Sequence, residues 1–306
     1  MKMLQKQQTA VITAFLMFIT SAFSLFPVPE GSRITINGFL DWQSGEIEAV
    51  TELDITSIGI RFPSGRIQAE EILKDEYLGL VKPILLSIQA DSSSTVEDLV
   101  LRGDLAFRQL DEICLAASKV TPYFSIDLTR FSGRYSIKLG SISSTLIRHR
   151  QPGEPGRPLV PTPAANYTGI IIIADTPLPI HGRNSSALLQ PCLFPKIWDD
   201  EMNLIYERNL TDPALTGTGE KPMVHYTNTQ NIFRPTPSGI DDKLVSLVGD
   251  RPLRIFASSV FGIVPTDPVI NRADALLILS NENNRGLLRE GRVVFVINDD
   301  LLKFTF

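Results

Sequence analysis

Five prolines, at 152, 155, 158, 161 and 163, fall between Gln151 and Pro163, with Gly153 and Gly156 among them. Prolines that dense fix φ and remove backbone donors, so neither a helix nor a central strand can run through the stretch. It has to be an extended linker or a long surface crossing. The chain is therefore expected to fold as two units, 25–150 and 164–306, joined by a proline-rich linker at 151–163.

The N-terminus points to export. Lys2 and Lys6 precede an apolar run from Ala10 to Ile19, and Ala22 and Ser24 stand at −3 and −1 if cleavage follows Ser24. A spanning helix needs about 20 apolar residues, and this run is shorter. Residues 1–24 read as a cleaved signal peptide, with a retained anchor as the alternative. The expected location is a bacterial periplasm, with membrane contact only through the signal peptide.

The formal net charge is −5, and the longest basic cluster is Arg148-His149-Arg150. Nucleic acid is not an expected partner, because phosphate binding needs clustered Lys and Arg. An exported chain can oxidise a cysteine pair. Cys114, however, falls on the apolar face of a predicted helix, which favours a buried free thiol over a bond to Cys192.

The periodicities predict an α+β fold. In the N-terminal unit, short strands at 33–36 and 47–50 precede two helices. The first follows the stripe Ile67, Ile72, Leu73, Leu80, Val81, Ile84 and Ile88, with a kink or break at Pro83. The second starts at a capping box in Ser94-Thr95-Val96-Glu97 and runs along Leu99, Phe107, Leu110, Ile113 and Cys114. A hairpin is expected over 123–139, turning at Ser132-Gly133. The C-terminal unit is predicted to be mainly antiparallel β. Its centre is the apolar run Ile170 to Ile173, a strand buried on both faces. A hairpin is expected with its tip at 199–203, then strands at 253–257 and 292–297, with a helix or strand at 272–279.

Catalytic signatures are missing from the sequence: there is no Gly-X-Ser-X-Gly elbow, phosphate loop, His-Glu-X-X-His or Cys-X-X-Cys. His149, His181 and His225 are far apart. The expectation is no enzyme, no metal and no cofactor. The acids Asp199-Asp200-Glu201 read as a solvated turn. The loop 181–186, with Arg183 at its centre, can meet an anionic ligand. The candidate binding residues are Asp175, His181, Arg183, Trp198, Asp199 and Tyr206.

One order of segments carries a resemblance. Tyr167-Thr168-Gly169 and the isoleucine run lead into Ala174-Asp175, then Pro191-Cys192-Leu193-Phe194-Pro195-Lys196-Ile197-Trp198-Asp199 and Leu204-Ile205-Tyr206. Pro252 to Ala257, Thr266-Asp267-Pro268-Val269-Ile270 and Ala273-Asp274-Ala275 follow, with Trp42 and Gly45 upstream. This resembles exported envelope proteins of the outer-membrane lipoprotein and flagellar-assembly family, of the FlgP and FlgT type. Where that family has Asp-Ala-Arg-Gly-Leu, this chain has Asp175-Thr176-Pro177-Leu178-Pro179, and no cysteine stands at the cleavage site to carry a lipid.

The resemblance implies a non-enzymatic structural or assembly protein of the periplasm, with envelope or flagellar proteins as partners. Two alternatives remain. One is a module binding glycan or peptide, including cell-wall glycan, through 176–191 with Trp198 and Tyr206. The other is a hydrolase using Asp175 and Asp199.

Overall fold

The computed structural model describes residues 34–60, 64–216, 219, 222–234 and 239–306. The expected signal peptide lies outside the described residues. The fold class is α+β.

The N-terminal unit is built on an antiparallel sheet whose strands are β1 (Ile34–Asp41), β2 (Glu46–Asp54), β5 (Ser118–Phe124) and β6 (Arg130–Lys138). A small pair, β3 (Gln89–Asp91) and β4 (Ser94–Thr95), stands apart from it. Strand β2 alternates strictly: Ile47, Ala49, Thr51 and Leu53 are buried, while the residues between them face outward. The helix Arg66–Leu86 lies on the buried face through Ala69, Leu73, Tyr77, Val81, Ile84 and Leu85. Pro83 does not divide this helix. It sits in the last turn, where its missing donor deprives the helix of a single bond.

Two further expectations are corrected. The second helical stretch is two helices, Val96–Leu101 and Phe107–Leu115, separated by a turn in which Gly103 has φ +80°. Its capping box is shifted by one residue: Asp98 N–H donates to Thr95 Oγ1 at 3.3 Å and Thr95 N–H to Asp98 Oδ2 at 2.8 Å. Ser94 instead accepts from Arg102 at 3.0 Å.

The hairpin turn falls at 125–129, not at Ser132-Gly133. The Asp127 carboxylate accepts from both the Ser125 and Thr129 hydroxyls and holds the turn closed. Gly133 lies inside β6 opposite Thr51, where an added Cβ would stand 3.2 Å from Thr51 Oγ1 and from the Tyr135 ring. It marks a close approach, not a turn.

Residues 151–163 form neither helix nor strand. They run against the C-terminal unit, with Gly153 N–H donating to Asn209 O at 2.7 Å and Thr162 N–H to Ser280 Oγ at 2.9 Å.

The C-terminal strands are β7 (Ile170–Ile173), β8 (Leu178–Pro179), β9 (Ser186–Ala187), β10 (Ile197–Asp199), β11 (Leu204–Tyr206), β12 (His225–Thr227), β13 (Leu253–Phe256), β14 (Ser259–Phe261), β15 (Asp267–Ile270), β16 (Val293–Val296) and β17 (Lys303–Thr305). The expectation of mainly antiparallel pairing in this unit is corrected. Its central sheet, ordered β12-β16-β7-β13, is parallel throughout. The reason is legible in β7 and β16. Each is four buried apolar residues, and strands without a polar face need cover on both sides, which helical crossovers supply. The helix Asp242–Val248 covers one face with Leu244 and Val248. The main core covers the other. The second sheet, β11-β10-β15-β14, is mixed, with the expected hairpin of β10 and β11 at one side. Residues Arg272–Leu279 are helical.

The two units share this main core. The Trp42 ring meets Tyr226 edge-on at 5.6 Å, and Phe194 N–H donates to Ala90 O at 2.8 Å. Strand β17 leaves the C-terminal unit and pairs with β1, giving the N-terminal sheet the order β17-β1-β2-β6-β5. Among the described residues no helix is long and apolar enough to cross a membrane.

Candidate functional site

Strands β10 and β14 each carry one ring on their outer face, Trp198 and Phe261, and a third, His181, stands beside them. Ile197 and Asp199 are buried, so the two-residue period turns Lys196 and Trp198 outward. Trp198 stands opposite Val269 of β15, and Phe261 of β14 stands opposite Asp267. The Trp198 and Phe261 rings meet edge-to-face at 5.8 Å, and Phe261 meets His181 at 6.3 Å. His181 arrives on the turn between β8 and β9, fastened by its N–H to Val260 O at 2.7 Å. The Lys196 ammonium lies 5.9 Å from the centre of the Trp198 ring.

Beneath the rings sits the carboxylate of Asp267, 1% exposed. It accepts from the Trp198 indole at 3.3 Å, the Lys196 N–H at 3.1 Å and the Thr266 hydroxyl at 3.0 Å. Burial raises its pKa above the ordinary aspartate value, and these donors, with the Ser92 hydroxyl of the N-terminal unit, pull it back. The strip is thus anchored at the junction of the units.

Lys196 also lines a small cleft of about 110 Å³, together with Asp91, Phe194, Glu207, Arg208 and Asn209. Its polar lining has two acids and two bases. The Arg208 guanidinium lies 5.3 Å from the centre of the Phe194 ring.

The structure brings together only part of the expected set. His181 and Trp198 join through Phe261, and Arg183 is exposed on the same turn as His181. Asp199 is instead a structural anchor. Its carboxylate accepts from Asn203 N–H at 2.7 Å and Asn203 Nδ2 at 2.9 Å, and pairs with Arg272 at 3.2 Å. Arg272 also pairs with Glu201 at 2.6 Å, so part of the charge on the acidic tip is offset from within the fold.

Tyr206 is fully buried, with its hydroxyl 3.0 Å from Thr211 Oγ1, and burial pushes its pKa up to about 12. It is a core residue with no surface to offer a ligand. Asp175 follows β7 and accepts from the Thr229 hydroxyl. Asp175, just past the end of β7, and Asp199, in β10, thus stand at different sheets, each carboxylate held by its own partners. Among the described residues no group of three His, Cys, Asp or Glu can hold a metal ion.

Cys114 and Cys192 are both buried free thiols. Burial pushes the Cys114 pKa up to about 11 and that of Cys192 higher still.

Sequence reading passed over Phe261, Asp91 and Arg208, which stand alone among unremarkable neighbours. Asp267 did leave a signal: an acid followed directly by Pro268-Val269-Ile270, at the start of a strand that is buried throughout.

With the geometry in place, two family matches align with it. Residues 33–145 match the model described as the N-terminal domain of Treponema pallidum Tp0624, and residues 169–299 match the model described as its second domain. Both units are similar to Tp0624. The matches follow the same order as in Tp0624, and the stretch between them, 146–168, contains the proline-rich crossing. The strip and Asp267 fall in the part similar to the second domain of Tp0624, whereas Asp91 falls in the part similar to its N-terminal domain. No curated protein matches the chain.

Proposed function

We propose that this chain is an exported, non-enzymatic structural or assembly protein of the bacterial periplasm, acting through envelope or flagellar protein partners. The observation that supports this reading is the use made of the reactive side chains. Asp199, Asp175 and Tyr206 are spent on holding turns and core together, within a body whose two units share one core. A rigid body that spends its carboxylates in this way suits a scaffold better than a catalyst. The signal-like leader and the flagellar-assembly resemblance supply the compartment and the kind of partner.

Crosslinking in intact cells, followed by purification and mass spectrometry, tests the proposal. Stoichiometric recovery of envelope or flagellar components is the expected result. A chain that fractionates alone, as a monomer, overturns it. N-terminal sequencing of the purified protein tests the leader, with Leu25 expected as the first residue.

A second reading, a binding module, is favoured by one observation: His181 and Trp198 stand in a single strip with Phe261 between them.

A further inference from the structure

We propose that the strip Trp198–Phe261–His181, together with the cleft that Lys196 lines, binds a neutral oligosaccharide. The inference rests on the binding-module reading and names its ligand; the scaffold reading keeps its own crosslinking test.

Three properties of the surface select this ligand. The first is the rings. Two edge-to-face contacts, of 5.8 and 6.3 Å, link three partly exposed rings on β10, β14 and the β8–β9 turn, and exposed aromatic faces can take the C–H faces of sugar rings. The second is preorganisation. The indole N–H of Trp198 is tied to a carboxylate that is itself 1% exposed and fastened by three further donors, from Lys196, Thr266 and Ser92, so the ring is held in place before any ligand arrives. A side chain already ordered costs less to immobilise on binding.

The third is charge. The cleft is lined by Asp91, Glu207, Lys196 and Arg208, with the Asn209 amide donating to Glu207 at 3.2 Å. A phosphate or an acidic chain would need an excess of cations, and a cation an excess of acids. A balanced set of donors and acceptors instead suits hydroxyl groups, each of which donates and accepts at once.

An extended peptide fits less well. Peptides that add to a sheet do so along a free edge, through backbone pairing. Here the rings lie on the sheet face, and β14 is bridged on its outer side, where Ile180 pairs with Val260.

The chain contains two tryptophans, Trp42 and Trp198, so Trp42→Phe leaves the strip residue as the sole reporter. Emission of that variant is followed while chitotetraose, cellotetraose and maltotetraose are each titrated in, with calorimetry on the unaltered chain in parallel. Tri-alanine and inorganic phosphate serve as the competing probes. At least one tetrasaccharide should give a saturable change, and Phe261→Ala should weaken its binding at least tenfold. His181→Ala should weaken it less, and the exposed Ile67→Ala should leave it unchanged. Urea midpoints of each variant separate loss of binding from loss of fold.

Saturation by tri-alanine alone overturns the saccharide assignment and leaves the binding-module reading standing. Saturation by phosphate alone overturns the assignment through the charge argument. No saturation by any probe overturns both the assignment and the module reading. Saccharide binding that Phe261→Ala leaves intact overturns the placement of the site.

Discussion

The Trp198 indole N–H and the Asp267 carboxylate lie 3.3 Å apart, and this contact links the outer face of the second sheet to its interior. Asp267 faces three further donors, from Lys196, Thr266 and Ser92, the last belonging to the N-terminal unit. One carboxylate therefore serves both the strip and the junction between the units. Asp267→Ala strands these donors, and leaving buried donors unpaired costs about 1–3 kcal/mol. The urea midpoint should fall accordingly, while Asp267→Asn, which keeps an acceptor oxygen, should lose less.

The pH dependence of stability should carry two contributions of opposite sign. Asp267 has a raised pKa in the folded state, so it holds its proton more tightly folded than unfolded. Its contribution is fully present below the ordinary aspartate value of 3.8 and is lost as pH rises through the folded pKa. Asp127 is the reverse. The Ser125 and Thr129 hydrogen bonds lower its pKa to about 2, so its contribution is present above 3.8 and is lost as pH falls toward about 2. Denaturation midpoints across pH, compared between the unaltered chain, Asp267→Asn and Asp127→Asn, check both signs.

Tyr77 stacks on Tyr135 at 3.9 Å, while its buried hydroxyl has no hydrogen-bond partner. The ring packing survives in Tyr77→Phe and the unpaired group is removed. Relieving a buried unsatisfied hydroxyl should raise stability by about 1 kcal/mol, read as an upward shift in Tm.

Phe306 lies across Gly38 of β1, and the two exchange backbone hydrogen bonds at 3.3 and 3.1 Å. Phe306→Ala should uncover this strand and cost about 0.5–1 kcal/mol, typical of a cross-strand pair. Hydrogen exchange should show the Gly38 amide losing protection first. Gly38→Ala should be far worse, because its Cβ would stand 2.0 Å from the Glu48 carbonyl oxygen.

Because Trp42 packs on Tyr226 in a core common to both units, the chain should unfold in one transition. Denaturation curves of Trp42→Phe and Trp198→Phe, each reporting the other tryptophan, should have the same shape and the same slope m. A biphasic curve in either would show that the units melt separately.

Local chemistry is what sequence reads well, and here it was enough for the α+β class and for several of the elements. The isoleucine run of β7, the amphipathic stripe of the helix Arg66–Leu86 and the acidic tip between β10 and β11 each depend on a few neighbouring residues. The turn misplaced at Ser132-Gly133 shows the limit. Glycine marks both turns and close approaches, and the approach of Thr51 comes from a strand eighty-two residues away.

The candidate residues divide along the same line. Asp175, Asp199 and Tyr206 have the right chemistry for a site, but their partners Thr229, Arg272 and Thr211 are met only after folding. Phe261 and Asp267 give Trp198 its meaning, and strand pairing alone brings them to it. Local composition was enough to specify the proline crossing, the buried runs and the residue types available. Long-range pairing made the central sheet parallel, returned β17 to β1 and set which side chains face out. The physical reason is that a propensity is local, whereas pairing, burial and the company a polar group keeps are properties of segments brought together from far along the chain.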